Sequence, residues 1–196
     1  MNKCVFINCP YDKEYIEMYK VAVFTLHACG YNIRLACENP ESGENRLERL
    51  KTMMTQCSYH FHDISRLKKK DLKCHVRGNL ILELGLSLGL IHSKKTQFKL
   101  LICDKEKYLY QRAISDLAGL DAYSHDNNNG KLCTLLSSWL LKDKKDRDSV
   151  IFAQYSIMLT KHEKALSNIF NNKDIDLSFS KYLSFVKRHK QIKWAV

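Results

Sequence analysis

The chain lacks several patterns that would assign it to a large class of proteins. No run of about twenty apolar residues occurs, so no segment is long enough to span a bilayer. The apolar stretch at residues 3–8 is too short for a secretory signal and is ended by Pro10, which favours a cytosolic protein. The 8 cysteines include no CxxC pair, and their scatter is typical of reduced thiols rather than of a disulfide framework.

Two nucleotide-binding fingerprints are also absent. Neither GxGxxG nor GxxxxGK occurs, so the sequence indicates neither an ordinary dinucleotide-binding fold nor a P-loop NTPase. The net charge of +11 suits a polyanionic or phosphate-bearing partner. The basic clusters at 66–70 and 187–190 lack the interleaved aromatic residues and glycines of RNA-binding motifs. A nucleic-acid partner is therefore less favoured than a small nucleotide, and solvated basic faces are the simplest explanation of the charge.

Short apolar segments alternate with helical segments along most of the chain. Strands are predicted at 3–8, 31–36, 58–63, 98–103 and 120–123, and helices at 14–29, 44–57, 78–92, 107–118 and 131–141. Connections of this length predict right-handed βαβ units and a parallel sheet. Five strands predict a flavodoxin-like, doubly wound α/β fold over residues 1–142. We expect residues 149–196 to form a C-terminal helical appendage, with helices at 149–170 and 177–190, that packs on this domain or mediates self-association.

Glu83 is the one charged residue in an apolar run that spans residues 78–92. Moving an unpaired carboxylate out of water costs several kcal/mol, so a buried carboxylate is usually paired, protonated or functional. We predict a mostly buried helix that packs closely through a glycine face and points Glu83 into a cleft, with Asn79 one turn earlier on the polar face. The glycine face comprises Gly78, Gly85 and Gly89. A structural Arg or Lys that neutralises Glu83 is the alternative.

The predicted topology brings two loops towards the Glu83 helix. In doubly wound sheets, ligands bind at the carboxyl ends of the strands, beside the first strand. The loops after the first and third strands carry carboxylates, an amide, a hydroxyl and an arginine, a mixture that suits a sugar and a phosphate. The candidate ligand-binding residues in these loops are Asn8, Cys9, Pro10, Asp12, Asp63, Ser65 and Arg66. A buried carboxylate that faces a ribose can stabilise an oxocarbenium-like transition state, which suggests N-glycosidic bond cleavage.

Three motifs resemble bacterial TIR-like proteins, which are close in fold to nucleoside 2-deoxyribosyltransferases and nucleotide N-glycosidases. The motifs are VFINCPYD at 5–12, DISR at 63–66 and NLILELG at 79–85. The resemblance covers residues 3–140 and implies that Glu83 is catalytic. It also implies that Phe6, Asn8, Pro10 and Asp12 line a nucleotide pocket and that Arg46 lies on a loop that closes over the ligand.

The resemblance further implies an enzyme of anti-phage defence that hydrolyses NAD or converts it into an ADP-ribose-derived signal for an effector protein. NAD is then a substrate, and no cofactor is expected. The strand end FINCP replaces the FISY-type end usual in TIR domains, so the substrate need not be NAD. A nucleoside or nucleotide N-glycosidase, a deoxyribosyltransferase and a non-catalytic nucleotide- or nucleic-acid-binding module therefore remain alternatives.

Two other chemistries are less favoured. Cys9 has no histidine placed by the sequence to activate it as a nucleophile, so a packing role is the simpler interpretation. His60 and His62 point to one face of a predicted strand, as metal ligands often do. No second Cys or His pair completes a tetrahedral zinc site, so no metal is expected.

Overall fold

Five strands form an all-parallel sheet. The computed structural model describes residues 3–38, 43–65, 78–93, 98–108, 110–111, 114–117, 119–141 and 146–188. The strands are β1 (Cys4–Asn8), β2 (Asn32–Leu35), β3 (Tyr59–Asp63), β4 (Lys99–Asp104) and β5 (Tyr123–Ser124). Their order in the sheet, β2-β1-β3-β4-β5, is that of flavodoxin-like sheets, so the predicted doubly wound α/β fold is confirmed.

The strand register aligns polar side chains at one edge of the sheet. Asn8 lies opposite His62 on the neighbouring strand, and Phe6 lies opposite His60. Partners in register point to the same face, so these four side chains share one face of the sheet. Asn8, Asp63 and Asp104 are the last residues of β1, β3 and β4. The carboxyl edge therefore carries an amide and two carboxylates on three adjacent strands.

Contacts divide the chain into two units, the first formed by residues 1–10 and 34–127. Its helices are α2 (Arg46–Thr55) and α3 (Gly78–His92). The Asn45 side chain accepts hydrogen bonds from the backbone N–H groups of Leu47 and Glu48, which fixes where α2 begins. The core cluster beside α3 comprises Ile64, Leu80, Leu84, Ile102 and Tyr110.

The second unit comprises residues 11–33 and 128–196. Its helices are α1 (Ile16–Ala28), α4 (Asn129–Leu141), α5 (Arg147–Lys161), α6 (Glu163–Phe170) and α7 (Ile175–Lys187). Helix α1 packs against α4, α5 and α7. The Tyr19 and Phe179 rings lie 4.1 Å apart, and the Tyr19 hydroxyl donates to the Phe179 carbonyl. The predicted domains, residues 1–142 and 149–196, divide the chain elsewhere, and that boundary stays a prediction.

The prediction for the Glu83 helix is wrong about its packing. Gly78, Gly85 and Gly89 are exposed. Apart from the adjoining residues and the helix backbone, no atom of the described residues lies within 4 Å of a Cβ built on any of them. Only one face of α3 is buried, so the helix is not mostly buried. Its buried residues are Leu80, Glu83, Leu84, Ser87 and Leu90. The glycines lie on the opposite face because they are spaced out of phase with this stripe.

Two other predicted helices also differ from the structure. The predicted helix 149–170 is two helices, because His162 (φ −120°, ψ 23°) breaks the backbone between α5 and α6. The predicted helix 107–118 is interrupted at Tyr108, which has a φ of 63°, and residues 115–117 form a 3-10 turn. No helix within the described ranges combines the length and the apolar character needed to cross a membrane.

Candidate active site

Glu83 lies on the buried face of α3 with only 3% of its surface exposed. Its Oε1 lies 3.3 Å from Nη2 of Arg46 at the start of α2. Its Oε2 is buried and has no hydrogen-bond partner among the described residues. Buried polar atoms without a partner are rare in native proteins, and they often mark a position that a ligand or water completes. One oxygen of Glu83 is thus held and the other is left for a further group.

Arg46 reaches Glu83 from the first position of α2, so the expectation that it lies on a loop is wrong. The arginine is the first residue of the helix after the Asn45 cap, and its side chain remains 54% exposed. A second arginine, Arg49, bonds the Glu38 carbonyl and pairs with Glu44 at 3.4 Å. Arg49 is therefore fixed in place, whereas Arg46 makes a single contact with Glu83 and retains access to solvent.

Burial dominates the protonation equilibrium of Glu83. Desolvation raises the pKa of the Glu83 carboxyl, and the charges of Arg46 and Arg49 with the Arg46 hydrogen bond lower it by less. Arg46 is half exposed, so water screens much of its field at the carboxylate. A carboxyl whose pKa is raised in this way is typical of groups that stabilise charge or transfer protons.

Asn8 at the end of β1 contacts the helix that carries Glu83. Its Nδ2 donates to the Leu80 carbonyl at 2.8 Å and is 2.9 Å from Nδ1 of His62. Leu80 lies three residues before Glu83, so the contact with Asn8 falls within one turn of the carboxylate. The Asn8 Oδ1 is buried and, like Oε2 of Glu83, has no partner among the described residues.

A buried chain of hydrogen bonds continues from Asn8 across the sheet face. His62 Nε2 lies 2.9 Å from the Ser87 hydroxyl, which lies 2.9 Å from Nδ1 of His60. His60 Nε2 lies 2.9 Å from the Met54 carbonyl on α2. Desolvation lowers the pKa of His60 to about 4 and that of His62 well below its usual value. Both rings are therefore neutral near pH 7.

The same chain of hydrogen bonds includes His60 and His62, the two histidines considered as metal ligands from the sequence. All four ring nitrogens of His60 and His62 have hydrogen-bond partners. A metal ligand needs a free nitrogen lone pair, and these lone pairs are already occupied. Across the described ranges, no group of three or more His, Cys, Asp or Glu side chains has an arrangement suited to a metal ion.

Asp63 and Ser65 form a separate buried cluster with His125. Asp63 Oδ1 accepts from the backbone N–H of Ser65 at 3.0 Å and from its hydroxyl, and Oδ2 lies 3.1 Å from Nε2 of His125. The Ser65 hydroxyl lies 2.9 Å from the same His125 Nε2. The backbone N–H of Asn127 donates to His125 Nδ1 at 3.1 Å, so the ring carries its proton on Nε2.

This tautomer decides against nucleophilic catalysis by Ser65. A Ser-His-Asp triad needs Nε2 of the histidine free to accept the serine proton and Nδ1 protonated towards the aspartate. In His125 both roles are reversed, since Nδ1 accepts and Nε2 donates. The Asp63, Ser65 and His125 side chains therefore satisfy one another and stabilise the loop after β3.

Asp104 is a second buried carboxyl at the same edge of the sheet. Its Oδ1 accepts from the Lys105 backbone N–H at 2.6 Å, and its Oδ2 has no partner among the described residues. Desolvation, opposed by that hydrogen bond, raises the pKa of Asp104 to about 6. Sequence analysis did not single out this residue, although the residue that ends a strand next to Asp63 is a position worth inspecting in a parallel sheet.

The remaining predicted residues are placed as follows. Phe6, Cys9 and Pro10 are buried, and the Phe6 ring lies 5.7 Å from His60 on the sheet face. Asp12 belongs to the second unit, where it accepts from the Tyr15 backbone N–H and begins a 3-10 turn. Asn79 is exposed in the first turn of α3. Arg66 lies outside the described residues.

An apolar groove runs along the exposed face of α3. It has a volume of about 600 Å³ and lies between α2 and α3. Its lining residues are Leu47, Glu48, Lys51, Ile81, Leu82, Gly85, Leu86, Gly89 and Leu90. Glu83 and Asn8 are not among them, and the two charged residues of this lining, Glu48 and Lys51, pair with each other at 3.7 Å. The chemistry-bearing side chains lie on the buried side of α3 instead.

The structure thus brings together three of the predicted residues, Glu83, Arg46 and Asn8, through α3. Sequence reasoning missed the links among them, because a hydrogen-bond chain depends on which side chains of different elements meet. The one signal was the spacing of Ser87 from Glu83 and of His60 from His62 on their elements. A comparison with protein-family models and a search of curated proteins both find no match to this chain.

Proposed function

We propose that the protein cleaves the N-glycosidic bond of a nucleotide, with NAD as the leading substrate and Glu83 as the reacting carboxylate. The observation that supports this most is the state of Glu83, which is buried, held by Arg46 through one oxygen and unpartnered at the other. Oxocarbenium-like transition states gain most from a carboxylate in a poorly solvated position, because little water weakens its field.

The chemistry of NAD suits a site with one available carboxylate. When the bond between C1′ and the pyridinium nitrogen breaks, its electron pair goes to that nitrogen and cancels its positive charge. The nicotinamide therefore leaves without needing a proton. Water then adds to C1′ and releases one proton, which gives ADP-ribose. Glu83 stabilises the positive charge on the ribose, or bonds C1′ until water replaces it.

Arg46 has two roles in this proposal. Its charge lowers the pKa of Glu83 and keeps more of the carboxylate ionised, as the reaction requires. Its half-exposed guanidinium also suits a phosphate oxygen of the nucleotide, to which arginine binds through paired N–H groups. Because Arg46 has one contact of 3.3 Å with Glu83, it can bind a phosphate with little loss.

A nucleoside monophosphate N-glycosidase is the second candidate, and Asp104 favours it. A neutral base leaves poorly unless it is protonated, so such an enzyme uses a general acid. Asp104 has a pKa of about 6 and an unpartnered oxygen, which are properties of a carboxyl able to deliver a proton near neutral pH. Asp104→Asn should abolish release of free base in this case and spare release of nicotinamide.

Product analysis separates the candidates. The purified protein is incubated with NAD and with a panel of ribo- and deoxyribonucleoside monophosphates, and nicotinamide and free bases are resolved by chromatography. Nicotinamide release supports the NAD proposal, and adenine or another base released from a monophosphate supports the second candidate. Protein that binds NAD but consumes no member of the panel is a nucleotide-binding module.

A further inference from the structure

The proton positions can be assigned along the buried hydrogen-bond chain that runs from the Met54 carbonyl through His60, Ser87 and His62 to Asn8. The Met54 carbonyl only accepts, so Nε2 of His60 carries a proton and donates to it. A neutral His60 then accepts at Nδ1, and the Ser87 hydroxyl donates to this nitrogen at 2.9 Å in preference to Met54 Sδ at 3.7 Å, because a thioether is a weak acceptor. Ser87 has no second proton, so His62 donates from Nε2 to the Ser87 oxygen. The His62 Nδ1 is left as an acceptor, and Asn8 donates to it.

This assignment fixes the orientation of the Asn8 amide. Its two N–H protons go to the His62 Nδ1 and to the Leu80 carbonyl. A flipped amide would place an oxygen against both of these acceptors, with the loss of two buried hydrogen bonds. The chain therefore leaves one arrangement, in which Oδ1 is the free atom of Asn8.

We infer that the chain of Met54, His60, Ser87 and His62 is a positioning device that makes Asn8 a hydrogen-bond acceptor for the ligand. Oδ1 of Asn8 and Oε2 of Glu83 are both buried acceptors without a partner in the described part of the chain. Asn8 bonds the carbonyl of Leu80, three residues before Glu83, so both acceptors lie beside the same turn of α3. They select a ligand with donor groups, and sugar hydroxyls are donors of this kind. The identity of the ligand depends on the proposed function, whereas the fixed orientation of the Asn8 amide does not.

The first test needs no ligand. Nitrogen-detected NMR of histidine-labelled protein near pH 7 should find the neutral Nε2–H tautomer at both His60 and His62. The signals are assigned by comparison with Ser87→Ala protein, in which the two rings lose their shared partner. A charged ring, or the Nδ1–H tautomer, at either histidine would overturn the assignment and the inference with it.

The second test measures binding of ADP-ribose, which is the product of the proposed reaction and is not consumed by the protein. Asn8→Asp keeps an acceptor oxygen but loses both donors, so we expect His62 to take a proton on Nδ1. Affinity should fall at least about tenfold, because the acceptor oxygen is still present but the contacts with Leu80 and His62 no longer hold it in one orientation. Asn168→Asp, the same chemical change at an exposed residue of α6, should leave affinity and tautomers unchanged.

Ser87→Ala is a second variant that tests the inference even if Asn8→Asp does not fold. It removes the link between the histidines, and ADP-ribose affinity should fall several-fold, while Ser93→Ala just beyond α3 has no effect. Unchanged affinity in Ser87→Ala, with a native NMR spectrum elsewhere, would show that the chain has only a structural role. If wild type does not bind ADP-ribose and Glu83→Gln does not bind NAD, the proposed function and the ligand assignment fail, and only the histidine tautomers then test the fixed orientation of the Asn8 amide.

Discussion

Arg46 at the start of α2 holds one oxygen of Glu83 at 3.3 Å, and the other oxygen of this buried carboxylate has no partner in the described residues. The desolvation of Glu83 outweighs the attraction of Arg46, so the pKa of Glu83 is raised. The first two predictions depend on this balance. If the attraction of Arg46 fully offset the desolvation of Glu83, the carboxylate would neither destabilise the folded protein nor make its stability depend on pH.

Glu83→Gln should stabilise the free protein near pH 7. The ordinary pKa of Glu83 is 4.5 and the folded value is higher, so the folded state binds the proton more tightly than the unfolded state. Wild type therefore loses stability as pH rises above about 4.5 through the folded pKa, and the loss is then constant. Glu83→Gln does not lose stability in this way. Its free energy of unfolding near pH 7 should exceed that of wild type by about 0.5–2 kcal/mol, a range common for single stabilising substitutions.

Urea unfolding of both proteins near pH 7 and near pH 4 measures this difference. The gain should vanish near pH 4, where the carboxyl is protonated in the folded and the unfolded state alike. Glu163→Gln, which changes an exposed carboxyl on α6, is the matched control and should show no such pH dependence. A Glu83→Gln protein that is less stable than wild type near pH 7 would contradict a raised pKa.

Arg46→Gln should move the acid limb of the activity profile to higher pH. Arg46 lowers the pKa of Glu83 by its charge and its hydrogen bond, so its loss raises that pKa further. Activity that needs ionised Glu83 should fall more on the acid side of the profile than on the alkaline side, where only the loss of phosphate binding by Arg46 is left. The profile of kcat/KM against pH measures the shift, and Arg188→Gln at the exposed end of α7 is the control. A uniform loss at every pH would assign Arg46 to binding alone.

The buried histidines should make the fold sensitive to mild acid. The pKa of His60 is about 4 when folded and 6.5 ordinarily, so the unfolded state binds the extra proton first as pH falls. Stability is complete above about 6.5 and is lost as pH falls towards 4, by up to about 3 kcal/mol for His60 alone. Denaturant unfolding between these values and NMR titration of the rings measure this. Titration of either buried ring near the ordinary value of 6.5 would refute this prediction.

Two tyrosines of the second unit should respond differently to the loss of a hydroxyl. The Tyr155 hydroxyl is buried without a partner in the described residues, whereas that of Tyr182 donates to the Lys20 carbonyl at 3.0 Å. Tyr182→Phe should lose about 1 kcal/mol, and Tyr155→Phe should be neutral or stabilising. The two unfolding free energies, measured in one denaturant series, are compared directly. Equal losses would mean that Tyr155 has a partner.

Sequence reasoning predicted the sheet well because its signals are local. Apolar runs ended by turn residues placed four strands to within one residue, whereas the predicted fifth strand at 120–123 overlaps β5 only at Tyr123. The flavodoxin-like fold was predicted from the alternation of strands and helices rather than from any single residue. The break at His162 was missed because nothing in its neighbourhood is a glycine or a proline.

The site was predictable only in part, for a physical reason. Glu83 was found because a charge in an apolar run is conspicuous in the sequence itself. The direction of the glycine face of α3 depends on which side of the helix meets the sheet, and both sides are apolar. The locking of Asn8 depends on four side chains from three elements, and no sequence pattern specifies that combination. Apolar composition therefore predicted burial, but not which face of α3 is buried.

Nicotinamide release tests the central claim most directly. Wild type, Glu83→Gln and the control Glu163→Gln are incubated with NAD at equal concentration, and nicotinamide is measured by chromatography over time. We predict release by wild type and by Glu163→Gln, and a rate at least about 100-fold lower for Glu83→Gln. Release by Glu83→Gln at the wild-type rate would contradict the assignment of Glu83 as the reacting carboxylate.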